Sequence, residues 1–452
     1  MKLWRCSGTF YQPIEPQLQT SIARNIAQTF AVRIAIFAMV VFNNVLVSRW
    51  LGPEALGVMA TFLMLADAVN KATGLGQESA ILYFVGNRRF PERDFLGTLL
   101  PLGALVYLSG SLLIVAIVQF GGLQLLFEPT EIPLAETNAY WCIFLLFAAI
   151  FHEYGGNIWL GRQQYWRYNG NLLFRPVMYL VALLLFYFSG KLTATTALIT
   201  YGISWLAPGI YIWFRDILPV KIRLSREIIR ESLRYGSRMM GARLLEFLIF
   251  RQDIFLVGYF CTQSDVGWYY VAVMIVERLL YFAGATETVL VPAAARTAAQ
   301  REKVPTILRV NVLVIFAGIA VLAIVAPFFV PLFFGDAFEK SVPPLLALLP
   351  GMIAAVIIKL LLADFAASGK PHLNLAVNLA NFLINLSLNL LLIPRIGILG
   401  AALASSISYG AAAILALVIY RQSNRASLRS LLLIHRSDFR LLRNIRSRNH
   451  EN

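Results

Sequence analysis

The chain has 452 residues, 58% of them hydrophobic and 14% charged, with a net charge of +15 and a mean hydropathy of +0.68. That balance excludes a soluble globule, in which about a quarter of residues are charged, and it describes a polytopic membrane protein. The positive charge calls for no nucleic acid: it gathers in the connections between apolar runs and in a tail from Arg421 to Arg448 that can lie against anionic membrane lipids.

In chain order, the segment from Met1 to Pro16 has no apolar core before Ile22. No cleavable signal peptide is expected, and the first span serves as an uncleaved insertion signal. Apolar runs of about 20 residues or more then predict six spans in the first half, near 25–48, 56–86, 95–120, 137–161, 170–190 and 193–214. Six more follow near 237–260, 266–294, 308–334, 343–368, 372–393 and 398–420. The expected architecture is an all-α membrane protein with about twelve transmembrane helices in two six-helix bundles. Residues 1–24 precede the first bundle, 25–215, and residues 421–452 form a basic tail after the second, 237–420. Residues 216–236 read as an amphipathic surface helix joining them, with Ser225 as its N-cap and Ile228, Ile229 and Leu233 on its apolar side.

Cytoplasmic loops carry excess Lys and Arg, and here the even-numbered connections hold most of the cations. They include Arg88, Arg89 and Arg93 after span two, Arg162 and Arg167 after span four, and Arg215 through Arg238 after span six. The opposite side has Arg49, Lys191, Lys340 and Arg395. Both termini are therefore expected in the cytoplasm.

An ungapped echo at an offset of 210 residues ties the halves together. Arg33 answers Arg243, Asn43 answers Asp253 and Asp67 answers Glu277, while Gly57, Met64 and Gly74 fall on Gly267, Met274 and Gly284. Span one is thus equivalent to span seven, and span two to span eight. These pairs hold most of the charges inside the spans, where an ionisable group survives mainly by facing a partner or a polar cavity. The intramembrane cations are Arg33, Lys71, Arg175, Arg243, Arg251, Arg278 and Lys359, and their acidic counterparts include Asp67, Glu78, Glu246, Asp253, Glu277, Glu287 and Asp364. Asp67, Lys71, Gly74 and Glu78 fall on one stripe of a continuous helix, as do Arg243, Glu246, Phe250 and Asp253. Arg251 points away from Asp253 on the same helix, so its partner must come from elsewhere. Salt bridges between helices account for such residues one at a time; as a set they suit an anionic headgroup, since Arg grips phosphate oxygens with a planar fork and Lys acts as a point charge.

In span eleven, Asn374, Asn378, Asn381, Asn385 and Asn389 share one face. That face either meets glycan hydroxyls or water in a cavity or bonds to neighbouring helices. No phosphate loop of the G-x-x-x-x-G-K-[ST] form is present, and Gly74-Leu75-Gly76 reads as part of an apolar helix. His152-Glu153 lacks the second His of a zincin, residue 156 being Gly, and is expected to make polar contacts inside the bundle. Cys6, Cys142 and Cys261 are scattered and odd in number. No metal site, cofactor or enzymatic activity is expected.

The segment Leu46-Val47-Ser48-Arg49-Trp50-Leu51-Gly52-Pro53-Glu54-Ala55-Leu56-Gly57 resembles the junction of spans one and two in polysaccharide flippases. These form the Wzx-type branch of the multidrug/oligosaccharidyl-lipid/polysaccharide exporter superfamily. Ala367-Ser368-Gly369-Lys370-Pro371 resembles the family's basic turn before span eleven, and Leu392 through Ala402 its junction of spans eleven and twelve. The resemblance implies two bundles in a V that opens alternately to each side of a bacterial cytoplasmic membrane. Its implied cargo is a polyprenyl-diphosphate-linked oligosaccharide destined for surface polysaccharide, supplied by glycosyltransferases and passed to a polymerase. Arg33, Lys71, Arg243 and Arg251 are then expected at the headgroup, with Arg278 behind them. Asp67, Glu246, Asp253 and Glu277 are expected to hold those cations or carry a coupling proton, the drive being an H+ or Na+ gradient or the membrane potential. The alternatives are a cation-coupled drug exporter of the same fold, a lipid II flippase and, least favoured, a membrane glycosyltransferase or polymerase.

Overall fold

The computed structural model describes residues 16–127, 131–280, 304–368 and 370–424, with side chains in the first helix from residue 35 onward. Among the described residues the chain forms eleven α-helices and no strand. Helix α1 (Pro16–Thr73) carries span one and most of span two, and it breaks at Gly52, whose φ of 76° and ψ of 174° leave the helical region. Pro53 then restarts the helix at a position where its missing N–H costs nothing. Helix α11 (Pro371–Asn424) repeats the device: after Pro394 the backbone leaves the helix at Ile396 and at Gly397, with φ 59° and ψ −141° at the glycine. Both turns lie at the junctions expected between spans.

Between them run α2 (Gln77–Asn87), α3 (Glu92–Gln119), α4 (Ile132–Gly161), α5 (Tyr165–Phe188), α6 (Ala194–Ile212), α7 (Arg226–Phe260), α8 (Gln263–Glu277), α9 (Val304–Phe334) and α10 (Val342–Ala367). Eight segments among the described residues are long and apolar enough to cross a membrane. Two of these contain the breaks just described, α7 belongs to span seven, and α8 is the described part of span eight, consistent with a twelve-span fold in two six-helix bundles. Helix α7 misses the apolar criterion because its membrane stretch carries Arg243, Glu246, Arg251 and Asp253. Large apolar side chains such as Leu112 and Phe328 point outward, the ordinary state of a surface whose solvent is lipid.

Span two is not one helix. The chain breaks at Gly74-Leu75-Gly76, with φ of 50° at Leu75 and 60° at Gly76, which corrects the expectation of a continuous apolar helix there. The cause is packing: a Cβ on Gly76 would fall 2.0 Å from the Gly236 carbonyl oxygen, and one on Gly236 would fall 2.2 Å from that of Leu75. Two backbones meet at this point, which only glycine permits.

Residues 226–236 are the first three turns of α7 and continue without a break into span seven. Ser225 Oγ accepts the Ile228 N–H at 3.4 Å, capping the helix. This stretch is docked on the first bundle, where Ser232 Oγ donates to Gln77 Oε1 at 2.6 Å, Arg89 pairs with Glu231 at 2.7 Å and Thr98 Oγ1 donates to the Arg223 carbonyl at 2.6 Å.

The bundles meet a second time where α8 crosses α1. A Cβ on Gly57 would lie 1.8 Å from the Gln263 carbonyl oxygen, and one on Gly267 would lie 1.9 Å from that of Pro53. Pro53 and Gln263 are themselves partners in the 210-residue register, so the two contacts are copies of each other. The crossing therefore lies on a pseudo-twofold axis. Thr61 Oγ1 donates to Gln263 Oε1 across it at 3.2 Å.

Candidate functional site

The intramembrane charges resolve into two tiers. The first lies toward the basic end of the molecule, in a small pocket lined by Asn70, Lys71, Glu78, Glu153, Tyr154 and Arg243, with Gly74, Gly76 and Met240. At 1.5 Å per residue, Lys71 is about 27 Å along its helix from Pro53, close to the far edge of a hydrocarbon core. Lys71 Nζ lies 3.6 Å from Asp67 Oδ1, one helical turn back, and 3.9 Å from Glu78 Oε1. Arg243, on the opposite bundle, also pairs with Glu78 Oε1. Asn70 Nδ2 donates to Glu153 Oε2 at 3.4 Å. Two cations from the two halves thus share one pocket, and three carboxylates surround them.

The second tier belongs to the second bundle. Arg251 meets Glu277 of α8 in a two-pronged fork, Nη1 to Oε1 at 2.5 Å and Nη2 to Oε2 at 2.9 Å. Both side chains are 25% exposed, so the pair faces open space while remaining closed on itself. Asp253 is buried beside it and accepts the Ile254 N–H at 2.9 Å, the Tyr269 hydroxyl at 2.6 Å and the Ser405 hydroxyl at 3.4 Å. A small cavity lies against Asp253, Glu277, Ser405 and Tyr409.

Several expected residues stand apart from these tiers. Arg33 lies on the helical backbone of α1, and its side chain is outside the described residues, as are Gly284 and Glu287. Glu246 is exposed and pairs with no cation among the described residues, because its expected same-helix partner Arg243 turns to Glu78. Arg278 ends α8, with its guanidinium 5.9 Å from the Phe37 ring centroid on the first bundle, and Arg175 lies 4.1 Å from the Trp205 ring centroid.

The Asn face splits in two. Asn385 and Asn389 are fully buried. Asn385 Oδ1 accepts from Gln252 at 2.7 Å and from Asn389 at 2.8 Å, while its Nδ2 donates to Ser405 and Ser408 at 3.2 and 3.1 Å. Asn381 is also buried, Asn374 donates to the Leu362 carbonyl at 3.0 Å, and Asn378 is half-buried. The inner part of the stripe therefore ties α7 to both arms of α11. In the first bundle, His152 Nε2 and Asn171 Oδ1 are 2.6 Å apart, so half of the His-Glu pair makes a contact inside the bundle and the other half, Glu153, joins the pocket.

Glu78, Glu153 and Asn70 complete the first tier although the repeat alone does not select them. The available signal was position: Glu78 falls seven residues after Lys71, and Glu153 is a lone acid inside span four.

The helices form two bundles related by a pseudo-twofold, with charges along the seam between them. Residues 176–343 match a family described as "Polysaccharide biosynthesis protein". Among solved structures, an inward-facing multidrug resistance MATE family transporter of the superfamily superposes with a TM-score of 0.73 at 16% identity, over 86% of this chain and 94% of that one. The lipid II flippase MurJ in an inward closed conformation gives 0.73 at 14% identity, over 88% and 87%. An outward-facing MATE family transporter gives 0.62 at 17% identity, over 88% and 94%. No curated protein matches the chain. The chain thus shares its fold with these transporters, its residues 176–343 match a polysaccharide biosynthesis family, and its apolar helices make it a multi-pass membrane protein.

Proposed function

We propose that the protein flips a polyprenyl-diphosphate-linked oligosaccharide from the cytoplasmic to the outer leaflet of a bacterial cytoplasmic membrane, by alternating access, for surface polysaccharide assembly. The observation that carries this reading is the convergence of Lys71 and Arg243, one from each half, on one pocket. That pocket lies toward the basic end of the molecule, which the positive-inside bias assigns to the cytoplasm together with both termini. A diphosphate made on that side meets cations at the depth of the lipid headgroups, its prenyl chain stays in the bilayer, and its glycan occupies the space between the bundles. Asp253, held by Tyr269 and Ser405 next to a cavity, is the group proposed to couple transport to an ion gradient. Glycosyltransferases and a polymerase are the proposed neighbours before and after this step.

Removing the protein should leave lipid-linked oligosaccharide in the inner leaflet. Lys71→Ala and Arg243→Ala should cut delivery at least ~10-fold at equal protein level, the worth of one charge-assisted contact. Unchanged outward delivery in a clean deletion lacking any redundant flippase would sink the reading. A second reading has one observation in its favour: Asp67, Glu78 and Glu153 outnumber the two cations beside them, which suits a cationic amphiphile. Energy-dependent export of a cationic dye, lost in Glu153→Gln, would select that reading instead.

A further inference from the structure

One carboxylate among the described residues touches the cations of both halves, and it does so with a single atom. Glu78 Oε1 accepts from Arg243 Nη1 and lies 3.9 Å from Lys71 Nζ. An oxygen held between a guanidinium and an ammonium is in the position that a phosphate oxygen takes between the same two groups. We propose that Glu78 is a latch, whose carboxylate fills the anion position between Lys71 and Arg243 in the empty transporter and is displaced from it by the diphosphate of the cargo. The proposal rests on the flippase reading of this pocket.

Three features argue for exchange rather than a fixed structural bridge. Lys71 and Arg243 line the same small pocket from opposite bundles, and without a counter-ion their repulsion at the edge of a low-dielectric region would oppose closure. Glu78 supplies that counter-ion when cargo is absent. Glu78 also does not share a rigid rod with Lys71: it lies in the first turn of α2, while Lys71 lies in the last turn of α1, and the turn between them has positive φ at Leu75 and Gly76. The distance between the carboxylate and the ammonium is therefore set by a joint rather than by a helical repeat. Finally, Lys71 keeps Asp67 at 3.6 Å when Glu78 leaves, and Glu153 has its own donor in Asn70, so the charge that Glu78 releases is Arg243, which the incoming diphosphate engages. Exchange replaces a direct bond between the halves with one that passes through the cargo, which makes occupancy of the pocket felt by both bundles.

The test is equilibrium binding of a long-chain polyprenyl diphosphate without a glycan to the full-length protein in lipid nanodiscs. Glu78→Gln, which keeps the shape and removes the charge, should bind this probe ~10-fold more tightly than the parent. The gain should vanish when Lys71→Ala and Arg243→Ala are added. Glu78→Asp, one methylene too short to reach both cations, should bind more tightly than the parent by a smaller factor, and it decides the question if Glu78→Gln does not fold. Equal or weaker binding by both Glu78 variants, with Arg243→Ala still losing affinity, overturns the latch and leaves the flippase reading intact. Absence of binding by the parent and by every variant removes that reading and the latch with it.

Discussion

Arg251 and Glu277 show how a charge is kept inside the bilayer at low cost. Their fork satisfies two donors and two acceptors at once, and a paired, hydrogen-bonded charge is viable where a lone one is not. Breaking one side leaves the other charge stranded, so Arg251→Ala should lower stability by about 1–3 kcal/mol. Arg251→Ala/Glu277→Ala should be more stable than the sum of the single losses predicts, the signature of a coupled pair. Thermal unfolding of the four proteins in one detergent checks this; strict additivity would show that the fork contributes nothing. That Arg251 needs a partner from elsewhere was readable from helical angles, since Asp253 lies on a different face. That Arg243 chooses Glu78 over Glu246 was not readable, because both acids are within reach on paper and only the docking of α7 on the first bundle selects between them.

At the scale of elements, glycines decide where helices end and where they touch. The breaks at Gly52 and Gly397 fall at junctions legible from the Leu-Gly-Pro and Pro-Arg-Ile-Gly patterns. The break at Gly74–Gly76 was hidden, since apolar residues continue on both sides and its cause is a backbone more than 150 positions away. Where α1 crosses α8, the Cβ positions of Gly57 and Gly267 are filled by each other's neighbouring carbonyls. Gly57→Leu or Gly267→Leu should therefore force this crossing apart and, in the proposed transport cycle, favour the outward-open state. Cysteine probes lining the seam near Thr61 should then react faster with membrane-impermeant reagents from outside, by about 10-fold for a shift of 1.4 kcal/mol. No change in labelling would show that the crossing does not govern the gate.

In the molecule as a whole, the Gly57–Gly267 crossing joins the two bundles at the end away from the basic face, and Gly76 and Gly236 join them at the other. In the proposed alternating-access cycle the Gly57–Gly267 crossing separates once per turn. Cysteines at Thr61 and Gln263, whose side chains bond across the seam at 3.2 Å, should cross-link under oxidation, stop outward delivery and recover on reduction. Full transport by the cross-linked protein would show that the two bundles do not part here.

Sequence alone determined the class, the number of spans, the equivalence of spans one and seven and of two and eight, and the residues that carry charge into the membrane. Each of these follows from quantities that a chain carries locally: the transfer free energy of about 20 successive residues and the spacing of like residues. Only the tertiary structure decided which charges pair, that Asn385 and Asn389 bond inside a bundle, and that Glu78 stands between cations of opposite halves. A partner is set by the approach of helices distant in the chain, and at the seam that approach is fixed by the room that Gly57, Gly76, Gly236 and Gly267 leave for another backbone.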